Sequence, residues 1–170
     1  SIVVDIGAGT TDIARIYGTF PTDDDQLTIE EAGDWLDHRL MELIQKKYAG
    51  AQLTQSMVRR WKEEGSHVGD SGNEFMVDLS VEGKKQHVDI GDLIRIACND
   101  LVPHLVEGLK KIVAGADPEY QASLRNNIIL AGGGSLIQGI ADRVAQQLAD
   151  IGDVTVWCAE DPVVRVADGA

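Results

Sequence analysis

Two short apolar runs in this sequence end in glycine. Ile2-Val3-Val4-Asp5-Ile6 breaks at Gly7-Ala8-Gly9, and Ile128-Ile129-Leu130-Ala131 breaks at Gly132-Gly133-Gly134-Ser135. Unbroken branched apolar residues suit a buried strand, and glycine ends such a strand with a turn that other residues enter only at a steric cost. The two breaks lead into different patterns. Thr10 to Tyr17 resumes a β-rich run, so the first break is a hairpin turn. Ile137, Ile140, Val144 and Leu148 fall on one helical face, so the second reads as a strand–glycine–helix junction. Hairpins pair antiparallel, whereas a strand–helix–strand crossover pairs parallel. A chain holding both is expected to build a mixed sheet with helices on its faces, an α/β fold.

Periodicity supplies the other elements. Gln26 to Glu30 is predicted as a third strand. It comes after a loop, Gly18 to Asp25, whose Asp23-Asp24-Asp25 run lacks EF-hand spacing and reads as a solvated tip. Leu36, Leu40, Leu43, Ile44 and Lys47 mark a helix from Asp34 to near Ala49-Gly50. Thr54 is a candidate N-cap for a second helix through Met57, Val58, Trp61 and Lys62, ending near Gly65 or Gly69. Phe75 to Val81 alternates, Glu82-Gly83-Lys84 turns, and Gln86 to Ile90 returns as a second hairpin. Leu93, Ala97, Leu101, Leu105, Leu109 and Ile112 mark a long helix, with a kink expected at Pro103. Pro118 opens a short helix, and Val154 to Trp157 is a last strand. Residues 1–53 and 90–170 form the predicted core, with a helix–hairpin lobe inserted at 54–89.

Charge narrows the partners. Asp and Glu number 28 against 15 Lys and Arg, for a formal charge of −13. Nucleic acids and anionic membranes bind through basic excess, so neither is expected. A phosphate held by backbone N–H groups needs no net positive charge and stays open. No apolar run reaches the roughly 18 residues of a membrane span, so direct membrane insertion is not expected. Cys98 and Cys158 sit among apolar neighbours and read as reduced core residues of a reducing, cytoplasmic compartment. His38, His67, His87 and His104 are scattered and read as structural or surface residues. Ser1 stands directly before a buried-strand pattern, and the chain is expected to be part of a longer one.

The two glycine breaks carry the chemistry. A hairpin turn with two glycines lets backbone approach an anion and aim N–H groups at it, and the hydroxyls of Thr10 and Thr11 can add donors. Asp5 at the strand end can hold water bound to Mg²⁺, which keeps most of its waters and takes few carboxylates. A strand–glycine–helix junction gathers orphan N–H groups at one point, a ready anion site. It is neither a dinucleotide fingerprint nor a P-loop, because the third glycine, the later acid and a Gly-Lys-Ser/Thr are missing. Each loop alone is equally an ordinary connection; two at strand ends raise the case for a nucleotide cleft between them.

Ile2 to Asp12 resembles the second phosphate-binding motif of the actin, Hsp70 and sugar-kinase superfamily, and Ile128 to Gly139 resembles its adenosine motif. Ala32-Gly33-Asp34-Trp35-Leu36-Asp37 is similar to the Gly-Gly-Asp-x-x-Asp of bacterial actins, and Lys62-Glu63-Glu64-Gly65-Ser66-His67-Val68-Gly69 to the segment lining their adenosine pocket. Asp161 to Ala170 is similar to their terminal Asp-Pro…Val-Ala-x-Gly. The match runs in order over essentially the whole chain. Asp117-Pro118-Glu119-Tyr120-Gln121-Ala122 and the Ala-Gly-Gly-Gly-Ser form bring it nearest to the magnetosome-organising filament group (MamK-type), with the cell-shape actins (MreB-type) next.

The resemblance implies an actin-like ATPase fold of ribonuclease H-like type: a mixed five-stranded sheet flanked by helices, with an inserted lobe. It covers the family's second half only, the IIA core with its IIB insertion. The first phosphate motif and the helix supplying a catalytic Gln or Glu have no counterpart here, so ATP hydrolysis is implied for the intact protein. By resemblance, Gly7, Gly9, Thr10 and Thr11 contact the β- and γ-phosphates of ATP or ADP. Asp5 orients hydrated Mg²⁺, and Thr11 and Asp12 lie near the attacking water. Gly33, Lys62 and Glu63 touch ribose and base, and Gly132, Gly133, Gly134 and Ser135 lie at the α-phosphate and adenosine. Two positions depart from relatives: Arg59 replaces an acid three before the Lys, and Asp12 replaces a His or Glu. The implied biology is a cytoplasmic cytoskeletal filament that self-associates with nucleotide, positions magnetosomes and meets adaptor proteins on their membranes. The alternatives are a nucleotide-binding scaffold or assembly module without turnover, an MreB-like cell-shape role and a sugar kinase.

Overall fold

Alternation in the first strand decides how the central sheet is laid down. Ile2, Val4 and Ile6 of β1 (Ile2–Ile6) are fully buried, whereas Val3 and Asp5 on the other face are only partly covered. The computed structural model describes residues 1–16 and 22–160; Gly18 to Pro21 of the expected loop and the terminal Asp161 to Ala170 motif lie outside the described residues. β2 (Thr11–Arg15) returns antiparallel to β1, and β3 (Gln26–Ile29) pairs antiparallel with β2. β7 (Ile128–Ala131) lies parallel to β1, with Ile2 opposite Ile128, and β8 (Val156–Cys158) lies parallel to β7. The five-stranded order is β3-β2-β1-β7-β8, the mixed sheet that the pattern of hairpin and crossover predicts.

The helices are α1 (Gly33–Lys47), α2 (Gln55–Gly65), α3 (Gly91–Ala114), α4 (Pro118–Arg125) and α5 (Ile140–Leu148). α3 runs through Pro103 as one element, with Pro103 on its exposed side. Its other side buries Leu101, Leu105 and Leu109 completely, each contributing roughly 1.5–3 kcal/mol. Gly108 brings α3 close to β2, since a Cβ there would lie 2.5 Å from Ile13 Cδ1. α1 packs beside α3, and Arg39 Nε donates to Asp100 Oδ2 across them at 2.8 Å. A second, three-stranded sheet has the order β4 (Ala51–Gln52), β5 (Met76–Val81), β6 (Lys84–Asp89). Its first strand is only two residues long, upstream of the Thr54 cap.

Three sequence expectations are corrected. The glycine run after β7 does not open a helix: Gly133–Leu136 is a single 3₁₀ turn, and α5 starts beyond it, behind Gly139 at φ +82°. The acidic run is a solvated tip only in part: Asp23 and Asp24 are exposed, but its third residue turns inward. Asp25 is buried, accepting from Arg15 Nε at 2.7 Å and from the Thr22 amide and hydroxyl at 2.8 Å each. Those Thr22 bonds first, then Arg15, lower the Asp25 pKa to about 2. Of the two cysteines only Cys98 is a core residue, its thiol pushed up to about 11 by burial; Cys158 is exposed.

Candidate functional site

Parallel pairing of β1 with β7 sets Asp5 beside Ala131, so both strands end together and both glycine turns leave the same edge. Contact between them is tight. A Cβ on Gly132 would lie 2.3 Å from Asp5 Oδ1 and 2.6 Å from Ile6 O, and Gly132 sits at φ +75°. A Cβ on Gly134 would lie 2.2 Å from Ile6 Cγ2. Glycine is the residue that lets the two turns share this volume.

The first turn of α1 is stitched to the hairpin. Gly7 N donates to Thr10 O at 3.0 Å and closes the turn. Gly33 N donates to Gly7 O at 3.0 Å, and Asp34 N to Ala8 O at 2.7 Å. These bonds satisfy two of the orphan amides that start α1. The amides of Ala8 and Gly9 have no protein acceptor among the described residues.

Between these pieces lies a crevice of about 350 Å³. Gly7 and Ala8 line it from the hairpin turn, Gly33, Asp34 and Leu36 from α1, and Arg59, Lys62, Glu63 and Ser66 from α2 and its end. Gly133, Gly134 and Ile137 close it from the β7 loop. A larger open hollow of about 770 Å³ lies where α1, β4, α2 and β5 meet, lined by Gln45, Leu53, Met57 and Leu79 among others. Neither glycine turn lines this hollow.

Charge in the crevice is organised by α1 and α2. Asp37 is buried beneath its wall; Lys62 Nζ lies 2.7 Å from its Oδ1, and Arg59 Nε donates to its Oδ2 at 3.0 Å. Lys62 also donates to Gly33 O at 3.1 Å, and Arg59 Nη2 to Asp34 Oδ1 at 2.9 Å. The bond to Asp37 is the main reason the Arg59 pKa is raised. At the strand edge, burial raises the Asp5 pKa and the charge of Asp12 raises it further.

The expected residues separate into two groups. Gly7, Gly33, Lys62, Glu63, Gly133 and Gly134 line the crevice together. Gly9 and Thr10 occupy the exposed tip of the hairpin, where Thr10 Oγ1 donates to Asp12 Oδ2 at 3.2 Å. Asp12 is exposed opposite Asp5, and it also accepts from Thr28 Oγ1. Gly132 packs behind the loop against Asp5. Two expectations need correction. Thr11 is fully buried and donates its hydroxyl to Glu31 O at 2.8 Å, so that hydroxyl does not line the crevice. Ser135 is buried and donates to Gly132 O at 2.8 Å, closing its own turn instead of facing a ligand.

Asp34 and Asp37 belong to the α1 motif and Arg59 is a departure from relatives, but the motifs do not show that these residues and Lys62 form one ionic group at the site. A signal was present: acids three apart on α1 and cations three apart on α2 are neighbours on their helix faces.

The family described as MreB/Mbl protein matches residues 1–170. The chain belongs to the MreB/Mbl family. Its actin-like fold is shared with solved MamK structures. One, a non-polymerising MamK mutant bound to AMPPNP, superposes with a TM-score of 0.90 at 35% identity, over 99% of this chain and 54% of that one. A MamK double helical filament gives 0.91 at 36% identity, again over 99% of this chain and 54% of that one. The actin-like protein MamK of Magnetospirillum gryphiswaldense is 38% identical over 100% of this chain and 47% of its own length. This MreB/Mbl chain therefore spans about half the length of the relatives it matches. Among the described residues no helix is long and apolar enough to cross a membrane.

Proposed function

We propose that this chain is the half of an actin-like filament subunit that holds adenine nucleotide, in the crevice between the hairpin turn and the β7 loop. The observation that carries this reading is the meeting of two glycine turns, a lysine and a glutamate in one crevice of nucleotide-compatible size. A relative of closely similar fold binds AMPPNP.

In this reading the free amides of Ala8 and Gly9 donate to the β- and γ-phosphates, and the Thr10 hydroxyl joins them by turning away from Asp12. At Gly133 a side chain would enter open space at the crevice, so its absence lets the α-phosphate approach the Gly133–Gly134 backbone. Gly33, Lys62 and Glu63 hold the ribose and base. Asp5 fits a hydrated Mg²⁺. It faces a second carboxylate, Asp12, and among the described residues it bonds no basic side chain. No cluster of three acidic, His or Cys side chains that could hold a metal occurs among them. Mg²⁺ suits such a site because one carboxylate, phosphate oxygens and waters complete its shell. When bound, that ion would neutralise phosphate charge; Asp5 would orient its waters.

For the intact protein the reading is nucleotide-dependent polymerisation in the cytoplasm, with magnetosome positioning through adaptors as its cellular role. A filament subunit repeats head to tail through contacts that do not close. Asp12 is the candidate for holding the attacking water. Its bonds to Thr10 and Thr28 favour a second reading, a binding module without turnover, in which Asp12 only braces the turn. Calorimetric titration of this chain with ATP and Mg²⁺ is expected to give saturable binding; no heat and no displacement of a fluorescent ATP analogue would overturn the crevice assignment. Sedimentation of the intact protein is expected to increase with ATP. Phosphate release separates the two readings: sustained release supports the filament ATPase, and binding without release supports the module.

A further inference from the structure

We infer that Asp37 is a positioning residue for nucleotide: it touches no ligand but fixes the two cations, Arg59 and Lys62, that wall the crevice. The inference rests on the nucleotide reading above and extends it to a residue outside the glycine turns.

Asp37 is 1% exposed, on a helix otherwise buried through Leu36, Leu40 and Ile44. A lone ionised carboxylate at such depth is costly, so it must be matched by cations with good geometry. Both oxygens are matched, and by residues of a different helix. Oδ1 lies 2.7 Å from Lys62 Nζ, and Oδ2 accepts Arg59 Nε at 3.0 Å. The cations differ in exposure: the Lys62 side chain is 14% exposed and that of Arg59 46%. Each reaches from a buried anchor towards the crevice that both line.

Hydrogen-bond capacity decides what remains. Arg59 gives Nε to Asp37 and Nη2 to Asp34, which leaves Nη1 without an acceptor among the described residues. Lys62 donates one N–H to Gly33 O and meets Asp37 Oδ1 as an ion pair without a well-aligned hydrogen bond, which leaves donor capacity on its ammonium. Untethered, both side chains are long and rotamer-rich, and ordering them on binding would cost affinity. Asp37 removes that cost before the ligand arrives. It also ties α2 to the first turns of α1, whose Gly33 and Asp34 amides hold the hairpin turn.

The test is a double-mutant cycle on ATP affinity in this chain, read by displacement of a fluorescent ATP analogue with Mg²⁺. Asp37→Asn keeps the shape and removes the charge. It is expected to weaken binding about tenfold, the scale of one hydrogen bond to a charged group. In an Arg59→Ala, Lys62→Ala background the same change is expected to have less than about a twofold effect, because positioning acts only through those cations. An equal loss in both backgrounds would show a general structural role and overturn the inference, as would wild-type affinity in Asp37→Asn. If Asp37→Asn does not fold, Arg59→Lys serves instead: it keeps the charge, loses the Nε contact, and is expected to weaken binding; unchanged affinity overturns the inference. Wild-type chain that binds no ATP removes the nucleotide reading and this inference together, an outcome distinct from a silent Asp37 variant.

Discussion

Asp5 and Asp12 stand directly opposite each other on neighbouring antiparallel strands, and no basic side chain bonds to Asp5 among the described residues. Like charges facing across a ladder destabilise it. Burial raises the Asp5 pKa, and the Asp12 charge adds to that. A carboxylate whose pKa rises on folding holds its proton more tightly in the native state. Its folded state is therefore favoured at low pH and loses stability as pH climbs through 3.8 towards the raised value. Asp5→Asn is expected to melt higher than wild type at neutral pH without ligand. The same variant is expected to lose the extra melting shift that Mg²⁺ adds to ATP. Thermal melts at pH 7 with ATP, with and without Mg²⁺, check both; a lower ligand-free melting point in the variant contradicts the first.

Adjacent glycines in the β7 loop are predicted to behave oppositely. Gly132→Ala places a methyl inside contact distance of Asp5 and Ile6 at a positive φ, and is expected to cost roughly 2–4 kcal/mol. At Gly133 a Cβ would meet nothing within 4 Å, so Gly133→Ala is expected to change stability by less than about 0.5 kcal/mol. Gly133 nevertheless lines the crevice, so its methyl is expected to weaken ATP binding. Urea denaturation paired with nucleotide titration separates the two effects. Equal stabilities of the two alanine variants would contradict the packing argument.

Much of this architecture was legible because period and turn chemistry agree. Ile2, Val4 and Ile6 alternate into the core, Thr54 caps α2, and Pro118 opens α4. The elements that escaped were local or depended on contacts distant in sequence. β4 is two residues of edge pairing that no period can announce. The 3₁₀ turn at Gly133–Leu136 could have been suspected from Gly139, whose left-handed backbone marks the true approach to α5. The inward side chain of Thr11 obeys the same alternation that buries Ile13 and Arg15, but its hydroxyl suggested a ligand instead. Asp25 and Asp37 are buried acids whose cations lie 10 and 22 residues away, and sequence spacing does not reveal such pairs.

The Arg15–Asp25 pair predicts an acid limb in the stability curve. Asp25 is lowered from 3.8 to about 2 by the Thr22 amide and hydroxyl and by Arg15. Its contribution is complete above 3.8 and is lost as pH falls through about 2. Asp25→Asn is therefore expected to be less stable than wild type at neutral pH, with the gap narrowing below 3.8. Urea midpoints measured across that range check it. A gap that stays constant with pH would mean that the Asp25 charge contributes nothing.

The cap of α2 offers the last prediction, because it separates helix stability from crevice geometry. Thr54 Oγ1 accepts from Met57 N at 3.2 Å, satisfying one amide at the start of the helix that carries Arg59 and Lys62. Thr54→Ala is expected to cost about 1 kcal/mol, and Thr54→Ser to restore most of it. The cap lies two turns before Lys62, whose position is set by Asp37 and Gly33 rather than by the helix start. ATP affinity is therefore expected to stay within about twofold of wild type while stability drops, since the folded crevice is unchanged. Urea midpoints and ATP titrations on the same samples check this. A matching fall in affinity under conditions where the variant is fully folded would mean that the first turn of α2, and not the Asp37 anchor, holds the crevice wall in place.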